Sequence, residues 1–411
     1  MRVATSQQYN TGLNNMLRNQ TEVNKTQQQV ATGRRVLTPA DDPVASTKIL
    51  QMQQDMAKSE QYVRNMNAAD SRLKAEEAAM DSATSYFAHL KELTSSASGV
   101  KTQSDRQDIA AEVAQIQEGL AQIFNTRDAN GEYIFAGFKG SNPPFVKQPN
   151  GRYEFMGDEG QRKLAISDST TVATGDSGKF LFVDVPANKN TFIASLNPQN
   201  KGDLRINPGF VVDEKKYAEF YPDGLVITFN PEDALSPATA NFTVRRASDG
   251  RVVEGMDKVA YNEGGNVVAA GISINIEGRP RPGDQVLAQS SPKQSVLDTV
   301  FRLTAGLNTL ADNQMDSDTL AILLADTLTN LTHAENSVSA VRSDLGARMN
   351  IVDGTRELSA DVKVVNQEIL SKLQDVDYAE AISRLSLQTF LLEASQQSYT
   401  TISRLSLFNH M

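Results

Sequence analysis

Two short heptads, one near each end of the chain, constrain this sequence more than any other feature. Tyr9, Leu13, Met16, Gln20, Val23, Gln27 and Val30 follow one another at alternating steps of four and three residues. Near the other end Ile382, Leu385, Thr389, Leu392, Gln396 and Tyr399 follow at the same steps. Apolar side chains at that period form one stripe along a helix, and the stripe needs a second helix to cover it. Glutamines and a threonine interrupt both stripes. Polar residues in such a seam lower its stability but help fix register and partner. Each seam spans only about three heptads, and isolated helices of that length are marginal in water. The two ends are therefore expected to be weakly ordered alone and helical once packed together or against other subunits.

Between the ends the composition changes twice. Residues 1 to 130 are rich in Gln, Asn, Ala, Ser and Thr, with few glycines. Glycines and prolines concentrate from 131 to 290, among short strand-like runs, and the helical pattern returns from 291. With 411 residues, more than one core is expected. The order helix, strand, helix predicts an α+β chain. Both termini form an elongated helical bundle with coiled-coil arms, and a mainly-β domain is inserted between them. The expected division is a terminal coiled coil over 1–40 and 375–411, a helical rod over 41–140 and 291–374, and a β-rich insert over 141–290.

Pro43 suits the first turn of a helix over 44–98. A second helix is expected over 105–127, before Asp128-Ala129-Asn130-Gly131. In the C-terminal arm Ser291-Pro292-Lys293-Gln294 offers an N-cap serine, a first-turn proline and a glutamine at the third position. Asp316-Ser317 suits the start of a very long helix. Its stripe includes Leu324, Leu328, Leu331, Val338, Val341, Leu345, Met349 and Val352, then Val362, Val365 and Ile369. In the middle, Asn150-Gly151 signals a hairpin. Phe180–Val185, Leu225–Phe229, Asn241–Val244 and Ile272–Ile276 read as strands.

Composition narrows the function. The net charge is −10 with no dense Lys/Arg run, which argues against nucleic-acid binding and a polybasic membrane anchor. There is no cysteine, so disulfides and thiolate chemistry are excluded. The N-terminus has no apolar core of a signal peptide, and no stretch approaches a transmembrane helix. Export, if it occurs, is expected without a cleaved signal.

Catalytic motifs are sparse. Gly175-Asp176-Ser177-Gly178 matches the surroundings of a serine nucleophile, so a hydrolase using Ser177 is the alternative from a different class. The three histidines, His89, His333 and His410, carry no general-base motif, and a polar turn is the favoured reading. Three scattered histidines do not suggest a zinc site, and no cofactor is expected. Asp41-Asp42 precedes a helix start, where carboxylates complement the dipole. Glu76-Glu77 reads as a solvated helix face. Arg34-Arg35 reads as surface ion-pair partners rather than an anion site. No catalytic, cofactor or metal residues are assigned.

The run from Ala31 to Ser46, ATGRRVLTPADDPVAS, resembles the N-terminal signature of the flagellin family. Its RVLTPADDPVAS form is similar to the hook–filament junction branch of that family. Asp128–Gly137 (DANGEYIFAG), Ile272–Asp284 (ISINIEGRPRPGD) and Leu373–Met411 share the likeness. The strong matches cover about the first 140 and last 120 residues. The resemblance implies a structural subunit of the bacterial flagellum and not an enzyme. Its termini would pack as coiled coils in the inner core, the adjoining helices would form the tube wall, and the middle would project outward. It further implies export in an unfolded state through the flagellar type III apparatus, and a dedicated chaperone at the C-terminal region. The implied partners are other copies of the chain and a neighbouring hook-associated protein, with no nucleic acid and no membrane. A filament-forming flagellin is the nearer alternative. The residues matching the inner-core seam are Tyr9, Leu13, Met16, Val23, Val30, Ile382, Leu385, Leu392 and Tyr399.

Overall fold

The computed structural model describes residues 2–99, 102–310 and 314–408. The side chains of 2–6, 8, 9, 314, 315 and 402–408 lie outside the description, as does His410. The chain forms two units, residues 1–65 with 353–411 and residues 66–352. Helices make up the termini and a β-rich region occupies the centre, as the composition implies.

The first unit is helical. It holds α1 (Arg2–Thr32), the start of α2 (Pro43–Ala97), the end of α6 (Gln314–Gln374) and α7 (Tyr378–Phe408). Pro43 opens α2, where its missing N–H is not needed. α1 and α7 run antiparallel: Gly12 lies against the Tyr399 ring, and Asn19 Nδ2 donates to Ser395 Oγ at 2.9 Å. The start of α2 pairs with the end of α6, where the Ser59 and Ser359 hydroxyls are 3.0 Å apart. Ala45, Ile49, Met52, Met56, Ser59 and Val63, again at steps of four and three, are among the covered positions of this part of α2.

The second unit combines a helical core with a β-sandwich. The rest of α2 and α6 packs with α3 (Gln103–Phe124) and α5 (Val296–Thr309) around Phe87, Leu90, Leu120, Val300, Leu303 and Val338, each fully buried. α3 starts at a capping box: Thr102 Oγ1 accepts from Asp105 N, and the Asp105 carboxylate accepts from Thr102 N. Two small hairpins follow. β1 (Phe145–Lys147) pairs with β2 (Tyr153–Phe155) across the Asn150-Gly151 turn, where Gly151 has φ +85°, and β3 (Lys163–Ala165) pairs with β4 (Thr171–Ala173).

The sandwich is antiparallel. Its larger sheet holds β5 (Pro186–Leu196), β8 (Leu225–Asn230), β9 (Asn241–Arg246), β10 (Val259–Ala260) and β13 (Gln285–Lys293), in the order β10-β9-β8-β13-β5. The smaller sheet holds β6 (Arg205–Ile206), β7 (Phe210–Val211), β11 (Asn266–Ala269) and β12 (Ile272–Glu277). Helix α4 (Glu214–Phe220) contributes Tyr217 and Phe220 to the same core as Phe192, Phe229, Ile274 and Val286.

Two local expectations are corrected. Phe180–Val185 is not a strand: Lys179–Val183 forms a single π-helical turn. Leu181 and Phe182 are both buried on this turn, and the Phe182 ring stacks on Phe124 at 3.7 Å. Ser291-Pro292 does not start a helix. β13 continues to Lys293, with a pairing irregularity between Ser291 and Lys293 that accommodates the proline. The cap lies one turn later, where Ser295 Oγ accepts from Asp298 N at 3.0 Å.

Candidate assembly interface

The signature segment between α1 and α2 forms a clasp within the first unit. Gly33 takes φ +69°, a conformation glycine adopts without strain, and its carbonyl accepts from Val376 N at 3.0 Å. Arg35 N donates to Gln374 O at 2.7 Å, and Arg35 Nη2 donates to Leu373 O at 3.0 Å. The arginine thus caps carbonyls that the end of α6 leaves unpaired. Asp41 accepts from Leu37 N at 3.1 Å, Thr38 N at 2.8 Å and Thr38 Oγ1 at 3.1 Å, and pairs with Lys25 Nζ at 2.7 Å. The Lys25 ammonium and these N–H donors pull the Asp41 carboxyl down to about 2. Asp42 Oδ1 accepts from Ala45 N at 2.9 Å as the cap of α2, and Asp42 also pairs with Arg35. The acidic pair fixes the turn and the helix start together.

The heptad residues fall on this terminal pair. Val23 is buried, and Leu13, Met16, Val30, Leu385, Leu392 and Tyr399 are half-buried. Ile382 is 52% exposed. The Tyr9 side chain lies outside the described residues. On α1 the covered stripe runs through Met16, Asn19, Val23, Thr26 and Val30; on α7 it runs through Ala381, Leu385, Gln388, Leu392, Ser395 and Tyr399. Asn19, Thr26 and Ser395 therefore hold places that the apolar heptads assign to Gln20, Gln27 and Gln396, while Gln388 and Thr389 are both half-buried.

A second set of apolar side chains remains uncovered. On α7 these are Leu387 at 59%, Phe390 at 65% and Leu391 at 46% exposed. On the end of α6, Leu358, Val362, Val365 and Ile369 are spaced as a heptad and are 41–63% exposed. Large apolar side chains gathered in stripes on a soluble surface mark contact with another surface.

Two helical family models match the chain: the bacterial flagellin N-terminal helical region over residues 3–139 and the C-terminal helical region over 328–410. The chain belongs to the flagellin family. Within that family it is 24% identical to the flagellar hook-associated protein 3 of Escherichia coli over 99% of both chains. It is 23% identical to the protein of the same name from Salmonella typhimurium, again over 99% of both. The crystal structure of the hook-associated protein 3 of Legionella pneumophila superposes with a TM-score of 0.53 at 26% identity, over 79% of this chain and 98% of that one. The flagellin of Clostridium tyrobutyricum is 23% identical over 94% of this chain and 95% of that protein. The clasp and the uncovered helical faces of this flagellin-family chain all lie within the two matched regions.

The remaining motif residues have structural partners. Ser177 is buried, and its hydroxyl donates to the Asp158 carbonyl at 2.6 Å. Asp176 is held by Arg348 through both guanidinium Nη atoms, at 2.8 and 3.1 Å. His89 pairs with Glu112, His333 Nδ1 meets the Pro186 carbonyl at 2.8 Å, and the Ser177 hydroxyl is engaged by Asp158 O and Lys179 N instead. The solvated reading of Glu76 is overturned. Glu76 is fully buried: Oε1 accepts from Asp176 N at 3.0 Å, while Oε2 has no partner. Burial first, and the nearby Asp176 charge second, push its carboxyl up to about 8. Beside it, Arg72 pairs with Asp128 at 2.9 Å and Glu132 at 3.3 Å. The DANGEYIFAG segment is thereby tied to α2. Among the described residues, no group of three or more His, Asp or Glu is placed to hold a metal.

Proposed function

We propose that this chain is a structural subunit of the bacterial flagellum that joins hook to filament. It leaves the cell unfolded through the flagellar export apparatus, a dedicated chaperone holds its C-terminal region, and it folds on assembly outside the cell. The observation that carries this reading is the uncovered apolar surface on α7 and on the end of α6, within an arm that already has its own internal pair. Leaving such side chains half exposed forfeits about half of the roughly 1.5–3 kcal/mol that full burial of each contributes, so a partner surface is the economical explanation. The relatives are named as flagellar hook-associated proteins, which supports a partner within the flagellum; in this reading the partners are other copies of the chain and a neighbouring hook-associated protein.

In this reading the terminal seam of Tyr9, Leu13, Met16, Val23, Val30, Ile382, Leu385, Leu392 and Tyr399 belongs to the assembled core. Residues 1–40 and 375–411 are the inner region, 41–140 with 291–374 the rod, and 141–290 the outer domain. No chemistry at Ser177 is required. The nearer rival is a filament-forming flagellin. Electron microscopy of the purified chain incubated with hook fragments separates the two. A junction subunit adds a short terminal zone and stops, whereas continuous growth of filaments from this chain alone establishes the flagellin reading instead.

A further inference from the structure

A cavity of about 330 Å³ opens between the β-sandwich and helices α5 and α6, wholly within the second unit. Its volume falls in the range of small-ligand sites. Phe210 and Val211 of β7 and Ile322 and Leu323 of α6 give it apolar walls. Arg302 of α5 lines the same space and is 8% exposed.

The guanidinium of Arg302 bonds directly to neutral groups only, and the Asp298 and Asp326 charges act on it from a distance. Nη1 donates to Thr191 Oγ1 at 2.8 Å and Nη2 donates to the Phe192 carbonyl. Both acceptors are neutral, and these bonds use two of the five donors an arginine carries. Among the described residues Arg302 has no ion-pair partner. The acid beside it, Asp298, is held by Arg152 through Nε at 2.6 Å and Nη2 at 2.9 Å. Burial depresses Arg302 to about 10, which still leaves it charged at neutral pH. Two other carboxylates line the cavity and share one lysine, so Asp326 also faces the Arg302 charge. Glu214 pairs with Lys189, while Asp326 accepts from Asn188 Nδ2 at 2.7 Å and lies 3.9 Å from Lys189 Nζ.

We propose that this cavity binds a small amphipathic carboxylate of the medium-chain fatty-acid type, with its carboxylate on Arg302 and its apolar body against Phe210, Val211, Ile322 and Leu323. A carboxylate matches the planar fork of a guanidinium and forms charge-assisted bonds with the donors left over. A neutral ligand fills the walls but leaves those donors unmatched. A cationic ligand adds a second positive charge beside a buried one. The cavity's apolar walls favour an alkyl chain over inorganic phosphate.

The test uses the full chain and decanoate as probe, read by calorimetry and by thermal shift. Decanol and decyltrimethylammonium serve as controls of equal chain length. Decanoate is expected to bind at one site and raise the melting temperature. Decanol is expected to bind at least about tenfold more weakly, the loss anticipated when a charged hydrogen bond is removed. The ammonium compound is expected to give no shift. Arg302→Met should erase the preference for decanoate over decanol. Ala218→Trp, at an exposed position of α4 lining the cavity, should block both ligands without touching Arg302. The wild-type ligand comparison and Ala218→Trp carry the test even if Arg302→Met does not fold. The proposal falls if decanoate does not bind, if decanol or the ammonium compound binds as well as decanoate, or if Ala218→Trp leaves decanoate binding unchanged.

Discussion

Replacing Glu76 with glutamine should make the protein more stable at neutral pH, which is an unusual outcome for a change in a fully buried core. The carboxyl titrates near 8 in the folded state against 4.5 as the ordinary value. Below the ordinary value both states hold the proton, and burial of the neutral acid carries no titration penalty. Between the two values the folded chain keeps a proton that the unfolded chain has released. Stability therefore falls by about 1.36 kcal/mol for each pH unit gained. By pH 7 the accumulated loss is about 3 kcal/mol. Glutamine keeps the shape of the protonated acid and an acceptor for Asp176 N, but cannot ionise. Chemical denaturation of Glu76→Gln and wild type at a series of pH values measures the gap. The expected gap is about 3 kcal/mol in favour of the variant at pH 7 and close to zero at pH 4. A variant less stable than wild type at pH 7, or a gap that does not close on acidification, would show that Arg72 and Arg348 hold Glu76 as an anion and that the argument from burial is wrong.

Asp41 should show the opposite sign. Its carboxyl is held near 2, so its contribution is present above pH 3.8 and lost as pH falls through 2. Asp41→Ala should cost about 1–2 kcal/mol at pH 7, discounted because the Lys25 partner is 41% exposed, and denaturation at pH 7 reads it directly. The double change Leu387→Asp with Phe390→Asp should leave the melting of the free chain within about 0.5 kcal/mol of wild type, because both side chains already face water. The same change should abolish incorporation into flagella, since assembly would bury two unpaired carboxylates per subunit. Variant protein recovered from the culture medium separates an assembly defect from an export defect.

Leu385 and Leu392, the obvious targets in the sequence, are poorer probes, because α1 already half covers both in the single chain. The heptads fall on the pair of terminal helices, yet each covered stripe includes two polar positions, Asn19 and Thr26 on α1 and Gln388 and Ser395 on α7. Asn19 and Ser395 satisfy each other across the seam, and no apolar search finds such a pair. The long helices were legible because their apolar spacing is local. The π-helical turn at Lys179–Val183 was not, because the ring that Phe182 stacks on belongs to a helix that ends at residue 124. Glu76 misled for the same reason: a glutamate in a helix reads as solvated until the backbone N–H of Asp176, one hundred residues away, closes on it. Arg302 gave no signal either, since nothing local distinguishes a buried arginine on α5 from a surface one. The acidic pair of the signature segment, by contrast, acts mainly through neighbours a few residues off and caps the turn and helix start expected of it, whereas Gly33 and Arg35 reach Leu373, Gln374 and Val376 at the other end of the chain.

In the proposed role the chain joins filament to hook. A strain lacking it tests this directly, with the flagellin secreted into the medium measured against that on the cell. The account predicts normal hooks, no attached filament and flagellin shed into the medium, with attachment restored by the wild-type chain but not by Leu387→Asp with Phe390→Asp. Cells that lack the chain and still carry full-length attached filaments would contradict it.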